Sequence, residues 1–365
     1  MPRAQLRVLA ALAMAGAGCE GAVGGDAGWL ARDAHVGASL DAALDDATAD
    51  ASVVAATADA SAVDAWPAQD AASRDDAWIA PTACPVSGIA DATYGLDTGA
   101  FPTDGHPDVA VHVPDGFDPC APHGVVVFFH GFHNCVANVI GASPTECTPG
   151  AGARSAFALA DQLDAAGVNA ILVAVELRYD EATSDPGALA ERGRLHALLD
   201  ELYDAHLSPL LGRPTRIDDV DHVVLASHSG GYVALARCLT GGGLTVHEVE
   251  LFDSLYGELA TYRDWIDTNL PAFDASASDP RRFALVFTDG GGTASQSRAL
   301  GADIEGWLAM RGDPASLLFD TTTATLEPPA FRTPIVIKRS ALSHDGVVSY
   351  YFERFLRGSD LPPRP

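Results

Sequence analysis

Positive charge is scarce in this 365-residue chain: 22 Lys and Arg stand against 49 Asp and Glu, a formal net charge of −27. Such a chain is repelled by phosphate backbones and anionic bilayers, which argues against nucleic acid or acidic lipid as a target. Long apolar runs are missing as well. Past the N-terminus no stretch approaches the roughly 20 apolar residues that span a bilayer. Metal and nucleotide signatures are also lacking. His130, His133 and Cys135 crowd together in "HGFHNC", but the His-Glu-x-x-His pattern is absent and Cys135 is better used in a bridge. The glycines of "TDGGGTA" (288–294) are followed by no Lys-Ser/Thr, so they do not make a phosphate loop. Neither a metal nor a cofactor is expected.

The first residues read as an export signal: Arg3 and Arg7, then the apolar "VLAALAMAGAG". This run ends at Cys19 in "AGAGC", which resembles a lipoprotein lipobox with Gly16 in place of the usual aliphatic residue. The resemblance implies a signal peptide over 1–19, lipid on Cys19, and a protein anchored in the bacterial cell envelope, with plain secretion as the alternative. Residues 20–80 hold eleven Asp against two Arg and few aliphatic residues. They cannot bury enough apolar surface to offset ordering entropy, so a disordered acidic tether is expected. The domain proper is expected over 84–361. With Cys19 set aside, five of the six cysteines remain. Cys135 and Cys147 bracket a short loop that a bridge would staple, Cys84 and Cys120 flank the start of the domain as a second candidate pair, and Cys238 is left as a buried free thiol; spacing alone still allows three pairings of the first four.

From residue 84 on, short apolar runs alternate with helix-period stretches. The runs are 109–114, 124–131, 169–177, 221–229, 246–253, 282–290 and 334–340, and helices are expected near 153–166, 188–205, 231–239, 258–267, 295–310 and 346–357. Most runs are nearly continuous in Val, Ile, Leu and Phe, as strands covered on both faces are. The fold class is therefore α/β, a mostly parallel central sheet flanked by helices. Ligands of such sheets bind beyond the carboxyl ends of the strands. His130, Ser229, Asp253, Asp289 and His344 all fall there.

A serine nucleophile needs a base and a sharp strand-to-helix turn with small residues two positions to either side. Within "VVLASHSGGYVALA" (223–236), Ser229 has Ser227 and Gly231 as those neighbours, whereas Ser227 would have the bulky Leu225. This stretch resembles the nucleophile elbow of the α/β-hydrolase fold superfamily, and "FFHGF" (128–132) its oxyanion-hole loop. The departure is Ser227, where the family usually has Gly. The resemblance spans roughly 105–357 in strand and motif order. It implies His344 as general base and Asp289, after the sixth run, as orienting acid, with Asp253 the alternative. Backbone N–H groups of Phe132 and Gly230 would form the oxyanion hole, with Asn134 as a further donor unless it caps the next turn, while His130 fixes the loop.

No insertion is long enough for a separate lid domain, so an open mouth is expected. Tyr256, Tyr262 and Trp265 either line a pocket or belong to the core. The expected activity is hydrolysis of small carboxylic esters by a monomer, with membrane contact only through the anchor. Two rivals stand beside it: a peptidase or amidase using the same triad, and a tethered, non-catalytic binding protein on a hydrolase scaffold.

Overall fold

The computed structural model describes residues 89–180, 185–274 and 276–365. The signal segment, Cys19, the acidic tether and Cys84 lie outside the described residues, and with Cys84 the expected bridge to Cys120. Nine strands form one sheet: β1 (Ile89–Tyr94), β2 (Val109–Val113), β3 (Gly124–Phe129), β4 (Ala170–Val175), β5 (His222–His228), β6 (Glu248–Phe252), β7 (Arg282–Thr288), β8 (Leu317–Asp320) and β9 (Ile335–Ser340), in the order β1-β2-β4-β3-β5-β6-β7-β9-β8. β2 pairs antiparallel with both β1 and β4, and every pair from β4 to β8 is parallel. This is the α/β-hydrolase fold. All seven apolar runs of the sequence are strands. β1 and β8 are additional and lie at the two edges.

The helices are α1 (Val136–Ile140), α2 (Leu159–Ala166), α3 (Arg194–Glu201), α4 (Ser208–Leu211), α5 (Tyr232–Gly241), α6 (Leu259–Asn269), α7 (Ala294–Arg311) and α8 (Gly346–Gly358). α3 runs into α4 through a π-helical turn, Leu202–Leu207. Strand alternation explains how they divide between the faces. Val125, Val127 and Phe129 of β3 point to a core closed by Leu195, Leu235, Tyr262 and Ile304 of α3, α5, α6 and α7. Val126 and Phe128 point to the opposite core, closed by Leu163 of α2 and Phe352 of α8. Phe128 meets Phe352 edge-on at 5.9 Å between centroids. The chain's end belongs to the same body: Asn169 N–H donates to the Pro362 carbonyl at 2.6 Å, and Arg364 N–H to that of Gly167 at 3.0 Å. The domain thus runs past residue 361. No helix among the described residues is long and apolar enough to cross a membrane.

Candidate active site

Because β3 through β7 and β9 run parallel, their carboxyl ends open on one edge of the sheet, and the site is built there. Of the five described non-glycine residues with positive φ, three lie at this edge: His133 (56°), Ser229 (51°) and Asp253 (47°). Left-handed backbone at a non-glycine residue costs roughly 1–3 kcal/mol and persists only where the surroundings enforce it.

At Ser229 the enforcement is close packing. β5 ends at His228, Ser229 turns, and the chain enters α5 within three residues. A Cβ on Gly231 would lie 2.4 Å from the Phe129 carbonyl oxygen, and one on Gly131 would lie 2.6 Å from Ser229 Cβ. Both positions therefore require glycine. Ser227, the departure from the family pattern, is fully buried. Ser254 Oγ–H donates to the Ser229 carbonyl at 2.8 Å, so the 2.8 Å contact between the two serine hydroxyls must have Ser227 as donor. The additional hydroxyl thus braces the turn through Ser254.

The acid on the histidine is Asp253. His344 Nδ1 lies 2.8 Å from Asp253 Oδ2, and the fully buried carboxylate also accepts from Thr288 N–H (3.0 Å), Thr288 Oγ1 (2.6 Å) and Thr293 Oγ1. Burial pushes this carboxyl up, but hydrogen bonds from His344, Thr288 and Thr293 outweigh it and hold it below the usual range. Asp289, the acid favoured by sequence, is not brought to His344. It is half-exposed and bonds Arg339 Nε at 3.0 Å and Arg298 at 3.1 Å. The glycines next to it serve Asp253: a Cβ on Gly291 would lie 2.2 Å from Asp253 Oδ2. The loop read as the acid's carrier is thus the acid's cradle.

Beneath His344 lies His228, buried, its ring 4.5 Å from that of His344 between centroids. Its Nε2–H donates to the His344 carbonyl at 3.2 Å. Burial, then the nearby His344 charge, pulls its pKa down to about 3, so the ring is neutral. Tyr256, an aromatic of the lining or the core by sequence, lies at the site itself. Its phenol is close enough to the Ser229 side chain to interact with it, and its ring lies 6.3 Å from that of His344. Burial raises its pKa, so it stays a protonated donor. Tyr262 and Trp265 belong to the core: the first is buried with its hydroxyl on the Tyr232 carbonyl, and the second packs edge-on against Phe273.

Phe132 and Gly230 are brought together, since a Cβ on Gly230 would meet the Phe132 ring at 2.6 Å. Asn134 turns away from them. Its amide donates to the Ser155 carbonyl (3.3 Å), and its oxygen accepts from Cys135 N–H (3.0 Å) and Asn138 (2.6 Å), so it ties the turn entering α1 instead. His130 is buried, with Nδ1 2.8 Å from the Gly131 carbonyl and Nε2 2.7 Å from Glu176. Glu176, just past β4, also accepts Val136 N–H at 3.1 Å and so fastens the 130–136 loop. Cys135 and Cys147 are bridged, and Cys238 is a buried free thiol. A cleft of about 420 Å³, lined by Asp289, Arg339, Leu342 and Ser343, opens beside His344.

No protein-family model matches the chain, and no curated protein matches it. Among solved structures it is similar to a variant of the feruloyl esterase module from Clostridium thermocellum complexed with sinapinate (13% identity, TM-score 0.44, 75% of this chain and 89% of that one). It is also similar to an S-formylglutathione hydrolase from Staphylococcus aureus (10%, 0.40, 74% and 97%). A third is a siderophore hydrolase from Aspergillus nidulans (12%, 0.39, 77% and 100%).

Proposed function

We propose that the chain is a serine hydrolase acting on carboxylic esters, with Ser229 as nucleophile, His344 as general base and Asp253 as orienting acid. The observation that carries this reading is the Asp253–His344 pair, 2.8 Å long, on the same sheet edge as a serine held at positive φ. With Asp253 accepting Nδ1–H, the lone pair of His344 is on Nε2, the tautomer that can take a proton from Ser229. Oγ then bonds the ester carbonyl carbon while the carbonyl π pair moves onto oxygen. Backbone N–H groups of Gly230 and Phe132 receive that oxyanion, and each such donor is worth about 10²–10³ in rate. His344 returns the proton to the leaving alkoxide as the C–O bond breaks. Water repeats the sequence, releasing the acid and Ser229. The cleft beside His344 suits the leaving alcohol, which must sit where His344 can protonate it.

Export and a lipid on Cys19 belong to this proposal, with residues 20–80 as the spacer between envelope and domain. Parallel panels of p-nitrophenyl esters and peptide anilides test the activity. We expect ester turnover that Ser229→Ala removes. Anilide cleavage that depends equally on Ser229 would favour the amidase reading, and a folded protein inert on both panels would favour the binding protein.

A further inference from the structure

His228 has no part in the proton relay, yet it sits fully enclosed against the base. One nitrogen of His228, one of His344 and one carboxylate oxygen of Asp345 all lie within 4.8 Å of one another. We propose that these three side chains form an inhibitory site for a zinc-class divalent cation. The effect of the cation on turnover rests on the hydrolase reading, but its binding does not.

Three features support the site. The donor set, two imidazoles and one carboxylate with water completing a tetrahedron, is one that zinc takes and that magnesium, a hard ion preferring oxygen, does not. Each imidazole must present a lone pair. His344 has one on Nε2, because Nδ1–H is committed to Asp253. His228 donates Nε2–H to the His344 carbonyl, so this proton must move before the facing nitrogen can bind. Its Nε2 faces the cluster, 3.7 Å from Asp345 Oδ1 and 3.2 Å from the His344 carbonyl. Its Nδ1 is buried with no hydrogen-bond partner. Moving the proton from Nε2 to Nδ1 frees the facing nitrogen, gives up the 3.2 Å contact, and leaves one unsatisfied ring nitrogen, as before.

The third feature is positioning. Asp345 is held by Ser155, whose Oγ donates to Oδ2 at 2.6 Å, leaving Oδ1 on the His228 side. The His344 side chain is one-third exposed, which gives an ion a path in. Once on Nε2 of His344, the cation occupies the lone pair that must accept the Ser229 proton. Inhibition is therefore reversible and needs no covalent step.

The test is calorimetric titration of the full-length Ser229→Ala chain with zinc chloride, so that binding is read without turnover, with magnesium chloride as control. We expect one zinc bound per domain with micromolar affinity and no magnesium heat. Asp345→Asn, and separately His228→Phe, should each weaken zinc binding roughly tenfold or more. In the active chain, zinc inhibition should be reversed by a chelator and weakened to the same extent by Asp345→Asn, a surface change that does not depend on the buried ring refolding. Absence of one-to-one binding, or an affinity untouched by both substitutions, would overturn the site. An inactive Ser229 chain that still binds zinc as described would leave the site standing even if the ester reading failed.

Discussion

Replacing Asp253 by Asn separates the two acids most sharply, because the structure dictates how the new amide must sit. Oδ1 accepts the Thr288 backbone N–H at 3.0 Å, a donor that cannot turn away. An amide NH2 in that position would face an N–H, so the amide oxygen takes the Oδ1 place and the NH2 takes the Oδ2 place, opposite His344 Nδ1. His344 must then accept at Nδ1 and carry its proton on Nε2, the wrong tautomer to receive one from Ser229. A tautomer error of this kind in a serine triad costs about 10⁴-fold in turnover, or roughly 5.5 kcal/mol of barrier. Asp289→Asn removes a carboxylate that bonds Arg339 and Arg298 in the cleft wall and not His344, so kcat should be little changed even if KM moves. The assay is kcat on a short p-nitrophenyl ester, with circular dichroism to confirm folding. Comparable losses in the two variants, or an Asp253→Asn enzyme within tenfold of wild type, would refute the assignment.

Other substitutions probe the supports of the site. Gly291→Ala pushes a methyl group onto Asp253 Oδ2, at 2.2 Å before any relaxation, and we expect kcat to fall about 10²-fold through displacement of the acid. Tyr256→Phe removes the phenol beside Ser229; the expected result is a reduced kcat with KM little changed, read by steady-state kinetics. Glu250 is buried with both oxygens unpartnered, and burial holds its pKa far above normal. The folded chain therefore retains a proton that the unfolded chain releases near pH 4.3, so this group lowers stability as pH rises from there, by up to about 1.4 kcal/mol per unit. Denaturant melts of Glu250→Met across pH should show a shallower fall on that side. Opening the Cys135–Cys147 loop with paired serines should cost about 3 kcal/mol in the same melts, from restored chain entropy.

What was legible in the sequence follows from range. The covered strands announce themselves locally, since β3 and β4 must be apolar on both faces, and the elbow is fixed by residues two positions from Ser229. β1 (IADATY) and β8 (LLFD) did not stand out because an edge strand needs no continuous apolar run. α1 is too short to show a period, and it lies inside the disulfide loop. The choice of acid was beyond local reading: Asp253 and Asp289 both end a strand, and Asp289 has the more flexible loop. What decides is that Thr288, Gly291 and Thr293 converge on Asp253 from about 40 residues downstream. Glu176 behind His130, and Ser254 behind Ser227, are contacts of the same long-range kind.

The most direct test of the central claim is to treat the chain with a fluorophosphonate and map the modified peptide by mass spectrometry. The adduct should sit on Ser229 alone, vanish in Ser229→Ala, and form far more slowly when His344 is replaced by Ala. A folded protein that takes no label, or that takes it at the same rate without His344, would contradict the account.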